Sequence, residues 1–217
     1  MIVRSIEGGY DKNFSYIIGC EKSRKGAIID AAIGAETLIK SANEANLEIQ
    51  YLIITHSHHD HYAWAEALLK KLRDLTLITY GDTIMNIGEK EHIDVEDGEE
   101  IYLGSIPLTF YHTPGHFPDS VCVVADGAVF TGDTLFIGRP GRTRSPKSDV
   151  EALYHSINDK LLTLPDDTKI YPGHNYGEEP VSTIGEQKAT NEFLQAESPG
   201  EFAKLMEEYE RQKEAVT

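Results

Sequence analysis

At 217 residues, with 40% hydrophobic and 26% charged residues, the chain has the size and apolar content of a single globular domain (1–217) and not the composition of a disordered one. Twenty Lys and Arg against 36 Asp and Glu give a formal net charge of −16, which repels a phosphate backbone and argues against a nucleic-acid partner. No stretch approaches the roughly 20 apolar residues of a membrane span, and Glu7 interrupts the start before a long apolar run can form, so neither membrane insertion nor a secretion signal is expected.

In chain order, Ile2–Ile6 reads as an edge strand. Phe14–Cys20 and Gly26–Asp30 read as a hairpin turning through residues 21–25. Glu36–Ala45 has Leu38, Ile39 and Ala42 at helical spacing, and Tyr51–Thr55 is a short apolar run of the kind that forms a buried strand. Tyr62–Arg73 is an amphipathic helix marked by Ala63, Ala67, Leu68 and Leu72, followed by a strand at Leu75–Thr79. Glu91–Phe110 alternates as two or three strands with a turn near Asp97-Gly98. Val121–Val124 and Ala128–Phe130 flank the hairpin signal Asp126-Gly127. A helix over Asp149–Leu162, capped by Asp149, precedes a short strand at Lys169–Tyr171, and the tail from Ser182 is helical with an interruption near Pro199-Gly200. The succession predicts two sheets with helices outside them rather than a regular parallel βαβ fold. Cys20 and Cys122 lie in apolar strand-like stretches and read as reduced core residues, consistent with a cytoplasmic protein.

The chemistry is concentrated after the Tyr51–Thr55 strand, in Thr55-His56-Ser57-His58-His59-Asp60-His61, where five of seven residues can ligate a metal. Alternate residues of an extended segment project to one side, so His56 and His58 reach one ion, while Asp60 and His61 face a neighbouring point. Imidazole and carboxylate suit zinc, iron or manganese. His59 has the wrong spacing and reads as non-ligating. Three further candidates sit on loops at strand ends: His116 in Thr113-Pro114-Gly115-His116, Asp133 in Thr131-Gly132-Asp133-Thr134, and His174 in Tyr171-Pro172-Gly173-His174.

The segments THSHHDH, TPGHFPDS, TGDTLF and YPGHNYG resemble, in order and spacing, the motifs of the metallo-β-lactamase superfamily, and in particular its glyoxalase II-like (hydroxyacylglutathione hydrolase-like) and persulfide dioxygenase branch. The resemblance runs from about Asn13 to Leu194 and implies an α/β fold, the four-layer αββα sandwich, with the metal site at one edge of the sheets. It implies a first metal site of His56, His58 and His116, a second of Asp60, His61 and His174, and Asp133 bridging two divalent ions, zinc or iron. Asp60 would also orient the attacking nucleophile. His92 and His155 are assigned to the surface and His112 to a supporting role.

Within the superfamily, the resemblance points first to hydrolysis of a thioester such as a hydroxyacyl-glutathione by metal-activated water. The alternative is a persulfide dioxygenase holding a single Fe(II) on His56 or His58, His116 and Asp133, and a lactonase is a more distant third. The stretch Asp133–Thr143 is similar to the segment that contributes to thiol-carrier binding in those families. Arg142, with Arg144 or Lys147, would pair with a substrate carboxylate, and Tyr176 joins Arg142 and Arg144 as a substrate-binding candidate. The expected partner is a small thioester or thiol derivative, with homodimerisation common in the superfamily.

Overall fold

The computed structural model describes residues 1–81 and 92–216. The first half runs β1 (Ile2–Gly8), β2 (Asn13–Gly19), β3 (Lys25–Ile29), α1 (Ala35–Glu44), β4 (Glu48–Ile53), α2 (His59–Tyr62), α3 (Ala65–Lys71), β5 (Thr76–Tyr80) and β6 (His92–Val95). It continues through β7 (Glu100–Leu103), β8 (Ile106–His112), β9 (Val121–Ala125), β10 (Ala128–Gly132), β11 (Leu135–Phe136) and β12 (Arg139–Pro140). The last part holds α4 (Val150–His155), β13 (Lys169–Pro172), β14 (Ser182–Thr183), α5 (Ile184–Thr190) and α6 (Pro199–Val216). One six-stranded sheet has the order β1-β2-β3-β4-β5-β6, the other β14-β13-β10-β9-β8-β7.

The two-residue period of the strands builds the layers. In β2 and β3, Phe14, Tyr16, Ile18, Ala27 and Ile29 face the core between the sheets, while Ile17 and Ile28 face outward onto α1 and α3 through Leu38, Ala42, Leu68 and Leu69. The second sheet does the same. Val121, Val123, Ala128 and Phe130 enter the central core, and Cys122 and Val129 pack on Leu153, Ile184, Phe202 and Met206 of the C-terminal helices. The outcome is the αββα sandwich that the sequence resemblance implies.

The expected hairpins form. Tyr16 pairs with Ile29 and Gly19 with Gly26, and Ala125 pairs with Ala128 across Asp126 and Gly127, both at positive φ as a two-residue hairpin turn requires. One feature differs from the sequence reading and two others add detail to it. The helix expected over Tyr62–Arg73 is split into α2 and α3, because the Trp64 N–H leaves the helical ladder to donate to Ala31 O at 2.9 Å. The interruption expected near Pro199 falls at residues 196–198, and Pro199 itself opens α6, a position where its missing N–H costs nothing. The turn expected near Asp97-Gly98 forms, and it carries the chain from one sheet to the other: β6 runs parallel to β5 in the first and β7 pairs with β8 in the second. Glu91, the first residue of the expected strand run to Phe110, lies outside the described residues.

Candidate metal centre

Every candidate ligand sits where a strand ends. His56 and His58 follow β4, Asp60 and His61 lie on α2, His116 follows β8, Asp133 follows β10 and His174 follows β13. The two sheets are stitched together at this edge: the Val121 N–H donates to Thr55 O at 2.8 Å, and the Phe14 N–H donates to Gly173 O at 2.8 Å. The β10/β13 register shifts between Phe130 and Gly132, and this irregularity turns the chain so that Asp133 faces the centre. Gly173 is required by close approach, since a Cβ there would stand 2.4 Å from Asp133 Oδ1.

The seven side chains converge. His58 Nδ1 lies 2.9 Å from His56 Nε2 and 2.9 Å from His116 Nε2. On the other side, Asp60 Oδ2 lies 3.7 Å from His61 Nε2 and 3.5 Å from His174 Nε2. Asp133 stands between the clusters, with Oδ1 3.3 Å from His61 Nε2 and Oδ2 3.5 Å from both His116 Nε2 and His174 Nε2. His56-His58-His116, His56-His61-Asp133 and Asp60-His61-His174 each bring their ligating atoms within 4.8 Å of one another.

The far nitrogens of the rings fix what faces inward. His61 Nδ1 contacts Asp30 Oδ2 at 2.7 Å, His116 Nδ1 the Arg142 carbonyl at 2.7 Å, and His174 Nδ1 the Asp11 carbonyl at 2.9 Å. A carbonyl or carboxylate accepts the Nδ1–H of each ring, so Nε2 is the nitrogen turned to the centre and the one that would bind a metal. His61 Nε2 and Asp133 Oδ1 are buried, face each other at 3.3 Å and have no hydrogen-bond partner. With the ring neutral these are two buried acceptors aimed at one point, costly unless a proton or a metal cation lies between them, so the donor set fits divalent metal.

Electrostatics point the same way. Burial, reinforced by neighbouring imidazoles, holds His56 and His58 below the usual histidine pKa and therefore neutral, the ligating form. Burial also opposes charge on His61, but the Asp133 and Asp30 carboxylates outweigh it and carry its pKa well above the usual value. Burial would raise Asp133, yet His61 and His174 override it and hold that carboxyl well below the ordinary range. The centre as a whole calls for positive charge.

His59 is exposed and meets Tyr62 edge-on, outside the cluster. His92 and His155 are also exposed, and the His112 ring lies flat on Tyr80 at 3.9 Å while its Nε2 contacts Pro118 O on the loop carrying His116. A cleft of about 270 Å³ opens over the candidate ligands and is lined by Asp11, Phe136, Arg142, Arg144 and Tyr176 among others. Tyr176 stacks on His174 with rings 4.9 Å apart and donates its hydroxyl to Asp11 at 2.6 Å. Arg142 is 3.6 Å from Asp11, and Arg144 is paired with Glu210 of α6. The spacing of motifs did not reveal Asp30, Asn13 or Arg139. Asp30 has a visible signal, an acid closing the apolar run Lys25–Ile29. Arg139 stacks over Tyr176 at 4.2 Å and Phe136 at 5.1 Å, and no carboxylate of the described residues lies within ion-pair distance of it.

The metallo-beta-lactamase superfamily model matches residues 8–174, and the chain belongs to that family of enzymes. Human mitochondrial persulfide dioxygenase ETHE1 is 35% identical over 199 residues, covering 89% of this chain and 75% of the relative. Hydroxyacylglutathione hydrolase GloC of Haemophilus influenzae is 32% identical over 216 residues, covering 87% of this chain and 95% of the relative. Among solved structures, ETHE1 from Myxococcus xanthus superposes with a TM-score of 0.84 at 31% identity, covering 95% of this chain and 90% of that one. No helix among the described residues is long and apolar enough to cross a membrane.

Proposed function

We propose that the protein is a metal-dependent thioester hydrolase of the glyoxalase II type, acting on a substrate such as a hydroxyacyl-glutathione. The observation that carries this reading is the pair of complete ligand clusters joined by Asp133, whose Oδ2 lies 3.5 Å from His116 of one and His174 of the other while Oδ1 faces His61. Two ions, zinc or iron, would be held by His56, His58 and His116 and by Asp60, His61 and His174, and would supply Lewis acidity that brings the pKa of water toward about 7 and polarises a carbonyl. Asp60, the most exposed carboxylate of the centre at 26%, faces the cleft and orients the attacking water. Arg142 and Tyr176 flank the opening and receive the substrate beside the centre, with Arg144 at the rim. The expelled thiolate takes its proton from solvent through the open cleft. The free thiols Cys20 and Cys122 suit a reducing compartment, of which the cytoplasm is the one proposed.

A second reading is an Fe(II)-dependent persulfide dioxygenase. It is favoured by the 35% identity to ETHE1 and by a two-histidine, one-carboxylate face formed by His58, His116 and Asp133. Purified protein should be assayed with S-lactoylglutathione and, separately, for oxygen uptake with glutathione persulfide. Thioester cleavage without oxygen uptake is expected. Oxygen uptake without cleavage overturns the hydrolase.

A further inference from the structure

Asn13, the first residue of β2, is fully buried, and its side chain reaches the second ligand cluster. Its backbone is held from several directions. The Asn13 N–H donates to Tyr10 O at 3.2 Å, the Phe14 N–H to Gly173 O at 2.8 Å, and the Asn175 N–H to Lys12 O at 2.9 Å. The side-chain Nδ2 donates to Asp60 Oδ2 at 3.0 Å and lies 3.4 Å from His174 Nε2. Among the described residues this is the one hydrogen bond made to the Asp60 side chain. Asp60 is also the least enclosed member of its cluster, 26% exposed against 0% for His61 and 4% for His174.

The other end of the amide is informative. Asn13 Oδ1 is buried without a partner. Turning the amide over would set that oxygen against the Asp60 carboxylate, two acceptors in contact, so Asp60 dictates the orientation and the orphaned carbonyl is its consequence. A wholly buried position with half its polar capacity unused would be better filled by an apolar side chain if packing were its purpose.

We propose that Asn13 is a positioning residue for the second metal: its N–H keeps the Asp60 carboxylate turned toward His61 and His174, and so decides whether the protein carries two ions or one. This deepens the thioester reading, which needs both clusters filled. Loss of such an outer contact to a ligand weakens metal binding roughly 10–100-fold.

The test is a zinc titration of chelator-treated full-length protein against a chromophoric competing chelator, with wild type, Asn13→Leu and Asn13→Ser. Leucine keeps the volume, serine avoids overpacking, and neither places a donor on Asp60. The first zinc should bind each variant as it binds wild type, which also reports correct folding, while the second binds about 10-fold or more weakly. An unchanged second affinity, or equal loss of both ions, overturns the proposal. So does a wild type that takes one ion at saturating zinc. Because the titration needs no turnover, Asn13-dependent binding in a protein that hydrolyses no thioester would leave this inference standing and remove the hydrolase.

Discussion

Replacing Asp30 by Asn tests the support beneath the centre. Asp30 is 2% exposed and closes β3 in the left-handed region at φ 59°. Its Oδ1 accepts the Thr55 N–H at 2.8 Å, and its Oδ2 accepts the Thr55 hydroxyl at 2.8 Å and the His61 Nδ1 proton at 2.7 Å. All three partners are donors. An amide offers one acceptor atom, so in Asp30→Asn one buried donor must face an NH2 group. Each hydrogen bond to a charged acceptor is worth about 1.5–3 kcal/mol, and with one such bond lost and the geometry of the others kept, the expected destabilisation is about 2–3 kcal/mol. For a chain of this length that is a fall of roughly 4–12 °C in Tm. The assay is urea and thermal unfolding of metal-free wild type and variant, followed by zinc titration of the folded variant. The His61 tautomer is no longer fixed by a carboxylate, so zinc affinity should also fall about 10–100-fold. A variant within about 0.5 kcal/mol of wild type, within the ordinary range of neutral surface changes, and with unaltered zinc affinity would refute the role given to Asp30.

Gly173→Ala places a Cβ 2.4 Å from Asp133 Oδ1 and 2.9 Å from His61 Cε1, so metal content measured by elemental analysis should drop sharply; full metal loading would show that the centre tolerates the displacement. His59→Ala should leave metal content and activity unchanged, since the ring points away to Tyr62, and loss of an ion would place His59 among the ligands. Arg139→Gln should raise KM for an anionic thioester several-fold with little change in kcat, as the guanidinium has no carboxylate partner among the described residues; a fall confined to kcat would contradict a binding role. Burial pushes the Cys122 thiol up to about 11, so its reactive thiolate is scarce at pH 8 and increases only as pH rises toward that value. A disulfide reagent at pH 8 should therefore leave Cys122 untouched in folded protein and modify it in urea.

The fold and the convergence of the candidate ligands were legible for one physical reason. A metal site needs specific side chains on loops that a rigid scaffold holds, so Thr55–His61, His116, Asp133 and His174 each stand at the end of an apolar strand that local patterning reveals. The αββα layering follows from the two-residue alternation that sends Ile17 one way and Ile18 the other. What escaped depends on contacts between distant segments. The break at Trp64 is caused by a carbonyl on Ala31, and the pairing of Arg144 with Glu210 spans 66 residues. Asn13 and Asp30 are single polar residues whose partners lie 47 and 31 positions away, and no spacing rule registers them.

The central claim is a two-ion centre bridged by Asp133. It is tested most directly by elemental analysis of protein purified without chelators, wild type beside His174→Ala. About two zinc or iron ions per chain are expected in the wild type and about one in the variant. About one iron per chain in both would contradict it, and would leave Asp60, His61 and His174 as supports around a mononuclear site.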